Sequence, residues 1–121
     1  MMEPLNPSRS GVYRVARADD FAPIARIRFQ EKEALLRAIA VALRFPGWFG
    51  QNWDALEDCL TDLSWLDAEG YVLVFDDARA GDDFGVLVDV LRSSAEYWAG
   101  RGKRFFALFV DPPGALPLPP L

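Results

Sequence analysis

Two short segments, Tyr71 to Phe75 and Phe105 to Val110, are apolar at every position. Both are rich in aromatic and β-branched residues, which pack well on a pleated backbone. A strand with one wet face alternates polar and apolar side chains. An unbroken apolar strand is instead covered on both faces, as in a parallel sheet inside an α/β domain. Between the two lies a stretch in which Phe84, Leu87, Val88, Leu91, Ala95 and Trp98 recur at the spacing of one helix face. Gly100 and Gly102 end that helix. Strand, crossover helix and strand fit parallel pairing with a right-handed connection.

The rest of the chain extends this pattern. Ala25 to Phe29 alternates apolar and basic residues and reads as a half-exposed strand. Glu31 to Leu43 reads as a helix, with Leu35, Leu36, Ile39, Ala40 and Leu43 on its apolar side and Phe45-Pro46-Gly47 stopping it. A second helix starts at Asn52, a good N-cap, and runs to about Leu63. Asp67 to Gly70 is a turn, and Asp76 to Asp83 a polar loop. The fold class is α/β: a small parallel sheet with helices packed on it, in one domain spanning 1–121 with its core at about 25–110. Gly11 to Val15 alternates weakly and suggests an extra N-terminal edge strand, which could extend a sheet edge, cover one or form a dimer contact. Residues 1–10, with Pro4, Pro7, Ser8 and Ser10, read as flexible; the Pro-rich tail, 111–121, reads as extended or loose.

Composition narrows the chemistry. With His 0, a Ser-His-Asp or Cys-His mechanism and a His-ligated zinc site are excluded. The single cysteine, Cys59, excludes an internal disulfide and suits a reducing compartment. No apolar run approaches the ~20 residues that a membrane span needs. The first residues lack a signal-peptide apolar stretch, so a soluble, cytoplasmic protein with no membrane partner is expected. The glycines form neither a dinucleotide fingerprint nor a phosphate loop, and no cofactor is implied.

The net charge of −5 is unevenly spread: residues 48–89 hold eleven acids against one base, Arg79. Such a field steers basic partners and repels nucleic acid, whose phosphates need clustered Lys and Arg. The acids have a focus. At 100° per residue, Leu56, Cys59, Leu60 and Leu63 form the buried stripe of the second helix. Asp54 and Asp58 lie on the opposite side, one turn apart, and Thr61 and Asp62 extend it. No Lys or Arg stands three or four positions from either Asp54 or Asp58. Carboxylates so unpaired are mildly unfavourable for folding and suited to a cationic partner. The preceding loop sets Trp48, Phe49 and Trp53 beside this face, two of them expected to be buried and one to reach solvent. Cys59, on the apolar stripe, is expected to be a buried hydrophobe rather than a nucleophile.

The segment Trp48-Phe49-Gly50-Gln51-Asn52-Trp53-Asp54-Ala55-Leu56-Glu57-Asp58-Cys59-Leu60-Thr61 resembles the signature of the barstar family, intracellular inhibitors of barnase-type ribonucleases. The order of elements agrees over roughly 25–110. The resemblance implies a three-stranded parallel sheet with helices packed on it, and a function by blockade. The signature helix would plug a small basic ribonuclease, its carboxylates standing where substrate phosphates bind. Carried over by position, Asp58 is the central anion, Asp54 its partner one turn earlier, and Thr61 a hydrogen-bonding neighbour. Trp48 covers the nuclease's catalytic side chains, while Asn52 and Gly50 shape the binding loop. Trp53 lies beside this face. Glu57 stands where the inhibitor of barnase has a tryptophan, and Asp62 where it has a glycine. Lys103 stands in place of the family's second cysteine. The resemblance also calls for an acid on the third helix, for which Glu96 is the candidate. On this reading the protein is monomeric on its own.

Two other readings compete. A protein of this fold could bind another basic partner, or have diverged and lost its nuclease. Alternatively, Asp54 and Asp58 could act as an enzyme's acid–base pair, which requires a cleft that desolvates one of them.

Overall fold

The computed structural model describes residues 5–47 and 49–121. Its four strands are β1 (Gly11–Val15), β2 (Ala25–Arg28), β3 (Tyr71–Asp76) and β4 (Phe105–Val110). The helices are α1 (Lys32–Ala42), α2 (Trp53–Leu60) and α3 (Asp82–Ala99). All pairings are parallel, in the order β1-β4-β3-β2. The two unbroken apolar runs are thus the two central strands, and both are buried on both faces, as the absence of alternation requires.

The two faces differ in what covers them. Tyr71, Leu73, Phe75, Phe105, Ala107 and Phe109 point to the helices and join Leu35, Leu36, Ile39, Leu56, Leu60, Leu87 and Leu91 in the main core. The Phe75 and Phe109 rings stack at 4.8 Å across the β3–β4 pair, and Phe84 meets Phe109 edge-on. Val72, Val74, Phe106 and Leu108 point the other way, into a smaller cluster closed by Ala18, Phe21, Leu5 and Tyr13. The link from β1 to β2 is therefore a lid without a helix. It carries the chain from one sheet edge to the other, burying Ala18 and half-burying Phe21 on the way.

The extra N-terminal strand is present and extends the sheet beyond β4. Residues 5–10 depart from the expectation of a flexible segment, and the tail is extended rather than loose. Pro7–Arg9 form one turn of 3-10 helix capped by the Asn6 side chain. Ser10 ties that turn to β4, its hydroxyl accepting from the Phe105 N–H at 2.9 Å. The C-terminal tail runs along the outer edge of β1: Arg14 donates its N–H to Pro119, and its carbonyl accepts from Leu121. Leu116 and Leu118 are buried. Proline cannot donate to a ladder, but on an outer edge only alternate residues need pair, so a Pro-rich segment fits there. No helix among the described residues is long and apolar enough to cross a membrane.

Candidate functional site

Residues 44–47 and 49–52 deliver α2 in a fixed pose. Phe45 packs edge-on against Phe49 at 4.9 Å and against Trp65 at 5.9 Å, pinning the loop onto the segment that follows α2. The Trp65 indole N–H donates to the last turn of α1, at the carbonyl of Leu43. Gln51 takes a left-handed backbone conformation (φ 54°), turning the chain into Asn52. The Asn52 side chain then accepts from the Ala55 N–H at 2.7 Å, satisfying one of the free donors of the first turn. At the other end, the buried Trp98 indole on α3 donates to the Leu60 carbonyl at 2.7 Å. A helix of eight residues has little stability of its own. It is held by these two ends and by Leu56, Cys59 and Leu60, which are fully buried.

The opposite face is free. Asp54, Glu57 and Asp58 are exposed, and Thr61, the C-cap, is half-buried. The Thr61 hydroxyl bonds back to the Glu57 carbonyl at 2.8 Å. Asp62 follows the helix, exposed, and accepts from the Ser64 N–H at 3.3 Å. Among the described residues none of these carboxylates forms an ion pair; the pairs present are Arg17–Asp19, Arg26–Asp76 and Arg28–Asp77. Two acids of the negative segment, Asp76 and Asp77, are thus matched by the arginines of β2. The Arg26 guanidinium grips Asp76 at 2.7 and 2.9 Å, and that hydrogen bonding holds the Asp76 carboxyl below its usual range. Asp54, Glu57, Asp58 and Asp62, on and just after α2, stay without an ion pair among the described residues.

Trp53 and Phe49 are both half-buried against the main core. Trp48 lies outside the described residues. Gly50 is exposed, its carbonyl 3.4 Å from the Asn52 amide nitrogen. Glu96 is exposed on α3, but it lines a groove with Ser10, Gly11, Tyr13 and Pro119, on the β1 side. Two positions further along α3, Trp98 is bonded to α2. Lys103 is half-buried, its ammonium bonded to the Ala68 carbonyl at 3.0 Å and flanked by the rings of Tyr71 and Trp98.

Cys59 is fully buried directly beneath the acidic face. Burial first, and then the charges of Asp58 and Asp62, push its thiol up to about 11. It is packing, not a nucleophile.

One residue of the site has no signal in its own neighbourhood of the sequence. Lys32, at the start of α1, lines a shallow open groove together with Asn52, Trp53, Asp54, Ala55 and Asp58. Its ammonium stands 6.0 Å from the centre of the Trp53 ring. Only the tertiary fold places it there. The groove is open and both aspartates are exposed, so neither acid is desolvated as an acid–base pair needs.

A search of curated proteins returned no match. The family model described as Barstar (barnase inhibitor) matches residues 20–110, a span that begins after β1, ends with β4 and includes the whole of α2 with its loop. The match covers about three quarters of the sequence and the fold agrees with it, so the chain belongs to the barstar family, whose members are barnase inhibitors.

Proposed function

We propose that the protein inhibits a small basic ribonuclease of barnase type by seating the exposed face of α2 in the enzyme's phosphate-binding site. It would do so inside the cell that makes the nuclease. Asp58, at the middle of the face, is the central anion. Asp54 stands one turn earlier, and Thr61 offers a hydroxyl at the far end. Glu57 and Asp62 add negative charge around them, while Asn52 and Gly50 shape the loop that leads in. Trp53 supplies a wall.

The observation that carries this reading is an unpaired acidic face on a helix clamped at both ends. The carboxylates are exposed, among the described residues no cation pairs with them, and the helix beneath is bonded at both ends. A pre-positioned anion array loses little freedom on binding, so its attraction to arginines and lysines is retained as affinity.

The test is inhibition of barnase by the wild type and by Asp58→Ala. Removing an exposed carboxylate should leave stability within about 0.5 kcal/mol, because nothing in the core depends on it. Binding should weaken by about 2–5 kcal/mol, the usual cost of leaving buried cations without their partner. Asp54→Ala should weaken binding less, being nearer the helix start. A wild type that fails to inhibit, or an Asp58→Ala protein that inhibits as well as the wild type, overturns the reading.

A further inference from the structure

We infer that Lys32 is a specificity-determining residue of this face, and that it pairs with the general-base carboxylate of the ribonuclease. The inference rests on the reading above, in which Asp54 and Asp58 occupy the phosphate site.

Lys32 is poorly placed for stability. It is the first residue of α1, at the positive end of the helix dipole, where a cation is disfavoured. Of the two acids that flank it, Glu31 is committed to capping and accepts from the N–H groups of Glu33 and Ala34 at 3.1 and 2.9 Å, and Glu33 lies a further 100° round the helix. Among the described residues Lys32 forms no ion pair. Its ammonium stands over the Trp53 ring at 6.0 Å, the outer limit for a cation over an aromatic face. The free protein therefore gains little from this charge, and the ammonium remains available at the rim of the binding groove.

The groove it lines is a mixed surface, with two carboxylates from α2 and one ammonium from α1. A partner presenting only cations would bury one of them against Lys32, and like charges so placed oppose binding. A fitting partner sets an anion among its cations. An enzyme that cleaves RNA through the 2′-hydroxyl has reason to do so: it needs cations on the phosphate and a base beside them to take the hydroxyl proton. With a carboxylate as that base, its site is the negative image of this groove. Lys32 then distinguishes such a site from a uniformly basic surface.

The test is a double-mutant cycle with barnase as the probe. Lys32→Met keeps the aliphatic stem against Trp53 and removes only the charge. Against intact barnase it should raise Kd about tenfold or more, a coupling expected of a close charge pair. Against barnase with its general-base carboxylate changed to the amide, wild type and Lys32→Met should bind within about twofold of each other. Lys32→Arg should retain affinity for intact barnase. The unfolding midpoint of Lys32→Met should equal or exceed that of the wild type. An equal loss against both nucleases, or no loss against either, overturns the assignment. Asp58→Ala separates the two ideas: if it binds like the wild type, the phosphate-site reading falls. If it fails to bind while Lys32→Met binds normally, only the role of Lys32 falls.

Discussion

A single turn of α2 shows how one residue's position sets its chemistry. Asp58 and Cys59 are neighbours in sequence, yet one is exposed and the other is fully buried. The 100° step between them separates solvent from core. Because the thiol is desolvated above 9 toward about 11, the folded state keeps its proton where the unfolded chain would lose it. Its contribution to stability is therefore complete below pH ~9 and fades as pH rises toward the folded value. A thiol reagent such as a disulfide dye at pH 8 should consequently leave the native protein unmodified and react only on unfolding. Rapid labelling of the native protein would contradict the burial. This much was legible in the sequence, since the spacing of Leu56, Cys59, Leu60 and Leu63 marks the stripe and leaves Asp54 and Asp58 opposite. Lys32 was not legible in the same way. Its sequence neighbours, Phe29, Glu31 and Glu33, are ordinary for a helix start and say nothing of α2, and its meeting with Trp53 follows only from where the fold sets the start of α2.

At the scale of the element, α2 is short because its sequence lets the helix stop while the apolar stripe continues. The periodicity through Leu63 predicts a helix to that point, but the helix ends at Leu60 with Thr61 as its C-cap. Leu63 turns into a left-handed conformation (φ 49°), and its N–H still reaches the Cys59 carbonyl at 3.1 Å. The side chain is buried at 1% exposure. Burial of one leucine outweighs the roughly 1–2 kcal/mol that a left-handed backbone costs a non-glycine residue. Pattern alone cannot distinguish a fourth helical contact from a turn that delivers the same side chain. The brevity of α2 makes its two clamps matter. Asn52→Ala removes the cap and should cost about 1 kcal/mol. Trp98→Phe keeps most of the ring but leaves the buried Leu60 carbonyl without its donor, and should cost about 1–3 kcal/mol. Urea denaturation measures both. If α2 is held as described, each variant should also weaken inhibition although neither residue carries charge, because the acidic face would be less well positioned.

At the scale of the whole molecule, the chain divides into a family core and two ends that belong to each other. The family match begins at residue 20 and stops at 110, leaving β1 and the tail outside it. In the fold these outlying pieces meet: Arg14 is bonded through its N–H, its carbonyl and its Nε to Pro119, Leu121 and Leu118. Leu116 and Leu118 are buried beside the main core. β1 covers the outer edge of β4, and the tail covers the outer edge of β1, so each layer hides backbone groups that would otherwise recruit another chain. The sequence announced neither partnership. A weak alternation at 11–15 and a run of prolines do not reveal that they pair, because the pairing spans about a hundred positions. Removing residues 114–121 should show what the closure does. Burying two leucines is worth about 1.5–3 kcal/mol each, and ordering the segment costs about 1 kcal/mol or more per residue. With the three hydrogen bonds to Arg14, worth about 1 kcal/mol each, the two sides nearly cancel, so the stability of the truncated protein should stay within about 2 kcal/mol of the full chain. The larger consequence is an open edge on β1, which should make the protein self-associate with rising concentration in sedimentation velocity. Inhibition should persist at low concentration, since α2 and its loop lie wholly within the matched core. A truncated protein that stays monomeric at every concentration would show that β1 shields the sheet without the tail.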